Sequence, residues 1–442
     1  AHAISSTASE PMGAGASASS SAAVKAFVAA VPSDDLRAAF STLSDDQRAK
    51  IADALSTSNV PSETSSKRAV PESMRKLVRS RDIWESNRAK FYAWIDKTPE
   101  EALEPDLEIV DSHHHLWDMR ELSGFNLFGI SKQQYYMTDE LVDDCVGGGH
   151  NVTHSVFVTT HSFFRQDADP PWMAPLGEVQ FAQGAAAQFA SGKYGRFRGV
   201  AGIVGSADLA KYGAEVEPLL VACKAASPNF RGIRCNAAHD PLMQESKFHP
   251  APHMYAEPKF RDGFALLQKH GLVFDAWLFA MQLPDLHDLA RAFPDTTIVL
   301  NHVGTPLAAL GNVAGALGYD GKQAEILAQW KERLGQIARD CPNVYVKVGG
   351  LALPHLGHGL DARERPASSQ EVAELFGDAY LWTIETVGPS RCMFESNFPV
   401  DKVSMSYTVL WNAYKRITKD AGLSDGDRAL LFSGTAKRVY RL

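Results

Sequence analysis

Residues 107–117 read Leu-Glu-Ile-Val-Asp-Ser-His-His-His-Leu-Trp, an apolar β-type run that leads directly into three histidines. Side chains on a strand alternate between its two faces, so we expect Asp111, His113 and His115 to share one face. If that face points into a barrel, two imidazoles converge at the end of the strand. Such a pair suits a divalent metal, because neutral histidine is a common metal ligand, and it equally suits polarising a substrate carbonyl. A solvent-exposed histidine run without a role is the alternative.

Eight β-type runs follow one another from residue 107 onward, separated by segments of helical or crossover length. Strands that alternate with helices indicate a parallel sheet. Eight repeats over 336 residues (442 − 106) fit a (β/α)8 barrel with insertions better than an open sheet, since such barrels run to about 250 residues or more. The sequence therefore predicts an α/β fold, a TIM barrel with an N-terminal helical extension. The predicted strands are 107–113, 154–160, 197–204, 230–235, 272–278, 297–302, 343–349 and 391–396.

The chain before the barrel divides into two parts. Residues 1–66 are predicted to form a low-complexity and helical extension, with a helical pattern over 33–56. Residues 67–106 contain a strongly apolar helical pattern over 72–95, which we expect to dock on the barrel as a helical arm. Residues 107–442 then form the barrel domain.

Bulk composition bounds the function. With a net charge of −8 the chain has no excess of basic residues, so nucleic acid is not an expected partner. No apolar run is long enough to span a bilayer, so no membrane partner is expected either. The five cysteines are scattered and lack CxxC pairing, which favours reduced thiols in an intracellular compartment, cytoplasmic or organellar. A small-molecule substrate is the expected partner. The sequence leaves open whether the chain also forms a homo-oligomer.

Catalytic candidates lie at the ends of the predicted strands, because barrels of this type carry their chemistry at the C-terminal ends of strands. His113 and His115 end the first strand, and His302 at the end of the sixth is the natural third imidazole. On the eighth strand, Glu395 and Asn397 share one face by alternation.

Substrate-binding candidates lie at the same edge. Arg234 can hold a carboxylate with two parallel hydrogen bonds, although a salt bridge that closes the barrel is the alternative. Lys347, inside a valine-rich strand, needs a partner, which is either an anionic substrate or an acid of strand five or eight. Asp275 is that strand-five acid and a further catalytic candidate. Trp277 suits a pocket wall or the core, and His161 ends strand two.

Five short motifs occur in order at barrel spacing between residues 107 and 442. They are Val-Asp-Ser-His-His-His-Leu-Trp-Asp (110–118), Phe-Arg-Gly-Ile-Arg (230–234), Leu-Pro-Asp-Leu through Val-Leu-Asn-His-Val-Gly (283–304), Asn-Val-Tyr-Val-Lys-Val-Gly-Gly-Leu (343–351) and Met-Phe-Glu-Ser-Asn-Phe-Pro-Val-Asp-Lys (393–402). Together they resemble the amidohydrolase superfamily, in particular the amidohydrolase-related (amidohydrolase 2) group of TIM-barrel metal-dependent hydrolases. Any one motif is weak, whereas all five in this order are specific.

The resemblance implies that His113, His115 and His302 are metal ligands or carbonyl polarisers. It implies one divalent metal, zinc or manganese, and a metal-free site stays open. The sequence departs from the family pattern twice. Asn397 stands where an acid normally follows strand eight, and strand five carries no histidine where metal-binding relatives often have one. Glu395 could supply the missing carboxylate.

Three functions from different classes follow. The leading expectation is a hydrolase that acts on a small, anionic cyclic ester (a lactone) or related carbonyl substrate. In it Glu395, or with less support Asp275, would deprotonate water. The second is a decarboxylase, a lyase on the same scaffold, which needs no water nucleophile and accommodates Asn397 more easily. The third is a non-catalytic binding or scaffold protein with an inherited pocket.

Overall fold

The eight predicted strands form one sheet in which each strand pairs in parallel with the next along the chain. The ring closes where the backbone N–H of His115 donates to Phe398 O (2.7 Å) and that of Asn397 donates to His113 O (2.8 Å). The predicted (β/α)8 TIM barrel is therefore confirmed. The strands are β1 (Glu108–His114), β2 (Asn151–Val158), β3 (Arg198–Ser206), β4 (Phe230–Asn236), β5 (Val273–Trp277), β6 (Ile298–Leu300), β7 (Val344–Val348) and β8 (Cys392–Phe394).

The computed structural model describes residues 44, 46, 72–120, 132–241, 250–309 and 319–442, without the side chains of residues 72–83 and 355. Apart from residues 44 and 46, the predicted helix over 33–56 lies outside the described residues. Glu72–Leu442 forms one compact unit. The predicted domain boundaries at 66/67 and 106/107 stay predictions. Within the described ranges, no helix has the length and apolar character needed to cross a membrane.

Helices with apolar faces cover the outside of the barrel, whereas the last helix closes one end of its interior. In the helix over Leu283–Ala292, for example, Leu283, Leu286, Leu289 and Ala290 are buried at helical spacing. The helices are α1 (Glu72–Ile95), α2 (Thr138–Cys145), α3 (Leu176–Ala190), α4 (Leu209–Tyr212), α5 (Glu217–Ala226), α6 (Pro258–His270), α7 (Leu283–Ala292), α8 (Gln323–Asp340), α9 (Ser369–Val387), α10 (Tyr407–Asp420), α11 (Asp425–Ala429) and α12 (Thr435–Tyr440).

Helix α1 docks on segments that follow barrel strands. The Trp84 ring packs edge-on against Tyr135, with ring centroids 5.1 Å apart. Further along the helix, Arg88 pairs with Glu140 at 3.0 Å. Aromatic contact and an ion pair thus hold the predicted arm against the segment after β1.

The inside of the barrel is packed with apolar side chains and closed by α12. The Tyr440 ring enters this cluster from the far end of the chain, and Arg231 donates to the Tyr440 carbonyl at 2.5 Å. Helix α12 therefore closes one end of the barrel interior, and we call this helix the plug. The apolar cluster comprises Val110, Val156, Val158, Val204, Val273, Val299, Met393, Ala436, Val439 and Tyr440.

The side-chain alternation predicted for β1 is interrupted by a bulge. Strand β1 advances three residues from Asp111 to His114 while its partner β2 advances two, from Ser155 to Phe157. An extra residue in a strand shifts the phase of the side chains that follow it. Asp111 and His113 therefore point in different directions.

Asp111 faces a buried polar cluster outside the site, so the expectation that it shares a face with the two histidines is wrong. Its carboxylate accepts the backbone N–H of Ser396 (2.9 Å), the Ser396 hydroxyl (2.6 Å) and the Tyr407 hydroxyl (3.2 Å). The Asp111 side chain ties the first strand to the end of the last one.

We predict that Asp111→Asn flattens the pH dependence of stability between about pH 4 and pH 6. Burial raises the pKa of Asp111 from 3.8 to about 6, so the folded state holds this proton more tightly than the unfolded chain does. The free energy of unfolding then falls as pH rises through this window, by at most ~1.4 kcal/mol per pH unit for one group. Urea unfolding of both proteins across the window measures the effect, and parallel pH curves would contradict it.

Candidate active site

Four side chains meet at the C-terminal end of the strands: His113, His115, His302 and Glu395. All four are buried, with exposures of 0 to 4%. Glu395 Oε1 accepts the backbone N–H of His302 at 3.1 Å and lies 2.7 Å from its Nδ1. Glu395 Oε2 lies 2.9 Å from His113 Nδ1. One carboxylate from β8 thus bridges an imidazole of β1 and an imidazole that follows β6.

The two histidines of β1 face each other through their Nε2 atoms, 3.3 Å apart. His115 Nδ1 lies 2.8 Å from the carbonyl of Val158, which can only accept, so this nitrogen carries the proton. Burial, followed by nearby positive charges, holds the pKa of His113 and His115 well below its usual value. Both rings are therefore neutral at pH 7, and His115 directs a lone pair at His113.

The donor atoms present fit a divalent metal. Ligand atoms of His113, His302 and Glu395 all lie within 4.8 Å of one another. The 3.3 Å separation of the His113 and His115 Nε2 atoms matches that of two nitrogens each about 2.0 Å from a tetrahedral zinc. Glu395 Oε2 is buried and has no aligned hydrogen bond among the described residues, despite its short distance to His113. A buried carboxylate oxygen without a hydrogen bond, beside the neutral ring of His113, favours a cation nearby.

Glycines allow this close assembly. His302 and Val303 turn the chain with left-handed φ values of 55° and 48°, strain that the surrounding contacts hold in place. A Cβ on Gly350, itself at φ 68°, would lie 2.3 Å from His302 Nδ1, and one on Gly349 would lie 2.4 Å from Glu395 Cγ. Only glycine therefore lets the end of β7 approach the histidine and the carboxylate.

Lys347 and Asp275 pair with each other. Lys347 Nζ donates to Asp275 Oδ2 at 2.7 Å, and both side chains are fully buried. The Tyr440 hydroxyl lies 2.8 and 3.0 Å from the two oxygens of Asp275, and Asn301 Nδ2 donates to Oδ2 at 3.0 Å. Asp275 is thus surrounded by donors, which does not favour it as the base for water. Lys347 Nζ also lies 3.4 Å from His113 Nδ1.

Arg234 and Trp277 form one side of the site. The guanidinium donates to the Thr159 carbonyl at 2.5 Å, and a second nitrogen lies 3.4 Å from His113 Nε2. Its carbon lies 5.7 Å from the centre of the Trp277 ring. Burial lowers the pKa of Arg234 to about 10, so it stays charged at pH 7. No carboxylate among the described residues forms an ion pair with it, which leaves its charge available to a ligand.

Asn397 and His161 stand apart from the four central side chains. Asn397, at φ 54°, donates from Nδ2 to Asp401 at 2.8 Å. Burial raises the pKa of Asp401 well above its usual value. His161 is exposed in the loop after β2, where its ring packs against Phe164 with centroids 4.7 Å apart.

Sequence reasoning did not assign roles to Tyr440, Asn301, Gly350 or Asp401. The Gly-Gly pair after a lysine-bearing strand was the available signal for Gly350, since adjacent glycines at a strand end indicate close backbone approach. The pairing of Tyr440 with Asp275 spans 165 residues and has no local signal.

Comparison with known proteins gives a consistent result. A family model described as Amidohydrolase matches residues 110–442. An uncharacterized protein of Sinorhizobium fredii is 30% identical over 356 residues, covering 76% of this chain and 99% of the relative. L-fucono-1,5-lactonase of Burkholderia multivorans is 31% identical over 183 residues, 41% of this chain and 56% of that enzyme. The crystal structure of an amidohydrolase from Burkholderia multivorans with bound zinc superposes with a TM-score of 0.55 at 23% identity, over 76% of this chain and 99% of that one.

A parallel barrel with histidines and a carboxylate gathered at its strand ends is typical of a class, the TIM-barrel enzymes that can use a divalent metal. Within that class, the chain belongs to the amidohydrolase family, because the family model matches residues 110–442, which is all of the barrel except the first two residues of β1. The resemblance seen in the sequence is confirmed, and the protein is a hydrolase of this superfamily.

We predict that Gly350→Ala weakens zinc binding by the protein, whereas Gly271→Ala does not. Both glycines have left-handed φ values, 68° and 63°, so each substitution should cost on the order of 1 kcal/mol of stability. Only at Gly350 would the new Cβ collide with His302, since the space around Gly271 is open. Zinc titration and thermal unfolding of the two variants measure this, and equal zinc affinity in both would contradict it.

Proposed function

We propose that the protein hydrolyses a small, anionic cyclic ester. One observation carries the proposal: the imidazoles of His113 and His302 contact buried Glu395, and His115 and Arg234 lie beside His113, with the charge of Arg234 left for a ligand. The similarity to an L-fucono-1,5-lactonase over part of the chain supports a lactone as the substrate class.

His113 and His115 lie on the side that receives the substrate carbonyl. Their Nε2 atoms would hold a divalent ion, zinc or manganese. When bound, such an ion supplies Lewis acidity that polarises the carbonyl oxygen. Without one, the neighbouring Arg234 guanidinium provides positive charge at the same place.

His302 is placed to take the proton of the attacking water. A carboxylate can only accept, so the 2.7 Å contact with Glu395 assigns the proton of His302 to Nδ1 and leaves Nε2 as the base. Glu395 then stabilises the imidazolium that forms, which makes it a positioning residue acting through His302. The water oxygen bonds to the carbonyl carbon, the ring C–O bond breaks, and the proton passes from His302 to the leaving alkoxide.

Arg234 is the group best placed for a substrate carboxylate. Lys347, the other candidate, is already paired with Asp275 inside the barrel. The guanidinium can offer a planar pair of donors, and the Trp277 ring at 5.7 Å forms a wall beside it.

A decarboxylase is the second candidate, favoured by Asn397. The amide, held by Asp401, stands where the resemblance leads one to expect an acid. Loss of carbon dioxide needs no base that deprotonates water, so an amide at this position is compatible with decarboxylation. Measuring both acid release and carbon dioxide release from lactones and aromatic or unsaturated acids separates the two reactions.

We predict that His302→Ala and Glu395→Gln each lower kcat on the best lactone by about 10²- to 10⁴-fold, the range expected for general base catalysis. The matched control is His287→Ala, because His287 also contacts a carboxylate, that of Asp340 at 2.9 Å, but lies on helix α7 outside the barrel. Rates come from a panel of five- and six-membered lactones, followed by acid release. A normal rate in His302→Ala would remove this residue from the mechanism.

We predict that Arg234→Met raises KM for a lactone bearing a carboxylate by roughly 10- to 100-fold, the loss expected for a charge-assisted bidentate contact. A neutral lactone of the same ring size serves as the control, since it has no carboxylate to lose. If KM rises equally for both substrates, Arg234 does not bind the carboxylate.

A further inference from the structure

Each ring nitrogen of His113 is faced by one donor and one acceptor. At Nε2, the acceptor is the lone pair of His115 Nε2 (3.3 Å) and the donor is Arg234 (3.4 Å). At Nδ1, the acceptor is Glu395 Oε2 (2.9 Å) and the donor is Lys347 (3.4 Å). A neutral imidazole has one N–H and one lone pair, so this ring can satisfy its surroundings in two ways.

In the first tautomer, the proton is on Nε2 of His113. Lys347 then donates to Nδ1, His113 Nε2–H donates to His115, and His115 Nδ1–H donates to the Val158 carbonyl. This chain of hydrogen bonds runs in one direction and needs no metal. It leaves Glu395 Oε2 facing a lone pair of His113 at 2.9 Å.

In the second tautomer, the proton is on Nδ1 and faces Glu395 Oε2 at 2.9 Å, although the two groups are not aligned as a hydrogen bond in this structure. The Nε2 atoms of His113 and His115 then present two lone pairs to each other at 3.3 Å. Two facing lone pairs are stabilised by a cation between them. A metal-binding histidine commonly donates its other N–H to a carboxylate in this way.

Lys347 is held rigidly where it favours the first tautomer. Its ammonium group is fully buried and bonded to Asp275 at 2.7 Å. Asp275 is in turn fixed by the hydroxyl of Tyr440 and the amide of Asn301. These contacts of Asp275 hold the ammonium group of Lys347 3.4 Å from Nδ1 of His113.

We propose that Lys347 tunes the affinity of the site for a divalent metal by stabilising the Nε2–H tautomer of His113, in competition with Glu395, which stabilises the metal-binding Nδ1–H tautomer. The change moves one proton between two nitrogens of one ring, with no net uptake or release. This inference rests on the metal site described under the proposed function.

The test is zinc affinity of the double variant Lys347→Met/Asp275→Asn, measured against a competing chelator. Because a positive and a negative charge are removed together, the net charge near His113 is unchanged, and a change in affinity reports the lost N–H donor. We expect zinc to bind about tenfold more tightly or better, the scale on which partners of metal-binding histidines act.

The matched control is Lys402→Met/Asp144→Asn. Lys402 and Asp144 also form a buried lysine–aspartate pair, at 2.8 Å, but contact Tyr92 rather than the site histidines. This variant should bind zinc as the unmodified protein does. Equal or weaker zinc binding by the Lys347 double variant overturns the proposal, as does equal tightening in the control.

A second measurement is made on the unmodified protein, and a variant serves only to assign the signals. Nitrogen-15 NMR of the unmodified full chain with labelled histidine, assigned by comparison with His113→Ala, distinguishes the two tautomers of His113. We expect Nε2–H without zinc and Nδ1–H with zinc. The same tautomer in both states, or no zinc binding at all, overturns the inference. Neither result bears on the proposed lactone hydrolysis, because the lactone assay tests that activity without added metal.

Discussion

Burying the carboxylate of Glu395 is the constraint on which the rest of the site depends. An isolated carboxylate inside a protein costs many kcal/mol unless donors surround it. Here the donors come from His302, through both backbone and ring, and the His113 ring lies against the other oxygen. To bring them that close, the chain after β6 adopts left-handed backbone, and β7 ends in glycine. One buried carboxylate thus contacts the histidines of β1 and of the chain after β6, and it lies against the glycines that follow β7.

A second buried charge pair continues the same network toward the plugged end of the barrel. Lys347 and Asp275 satisfy each other, and Tyr440 from the last helix completes the set. Removing one partner of such a pair is far more disruptive than replacing both, because the remaining charge is left without compensation. The polar groups therefore form a continuous chain of contacts from Tyr440 of α12 through Asp275 and Lys347 to His113.

Periodicity and strand-end position were enough to predict the barrel, its eight strands and the convergence of His113, His115, His302 and Glu395. These features depend on local patterns and on a general rule of the fold. The bulge in β1, which turns Asp111 toward Ser396, depends on register with a neighbouring strand and has no signature in β1 itself. Among the side chains of the protein, the sequence left two acids, Asp275 and Glu395, as possible partners of Lys347. Only the structure shows that the partner is Asp275. Roles of the individual residues in catalysis stay predictions, because no substrate or metal contact has yet tested them.

The plug formed by α12 has a consequence for synthesis of the chain. Tyr440 bonds to Asp275 across 165 residues, so the pair cannot form until all eight strands have left the ribosome. Until then, the lysine and aspartate inside the half-built barrel lack their hydroxyl partner, and the valine-lined interior is open to water at one end. A nascent chain stalled before α12 would therefore expose apolar surface of the kind that molecular chaperones bind. In the folded chain, α12 closes the interior of the barrel and completes the hydrogen bonds of Asp275, which links it to Lys347 and the histidines at the other end.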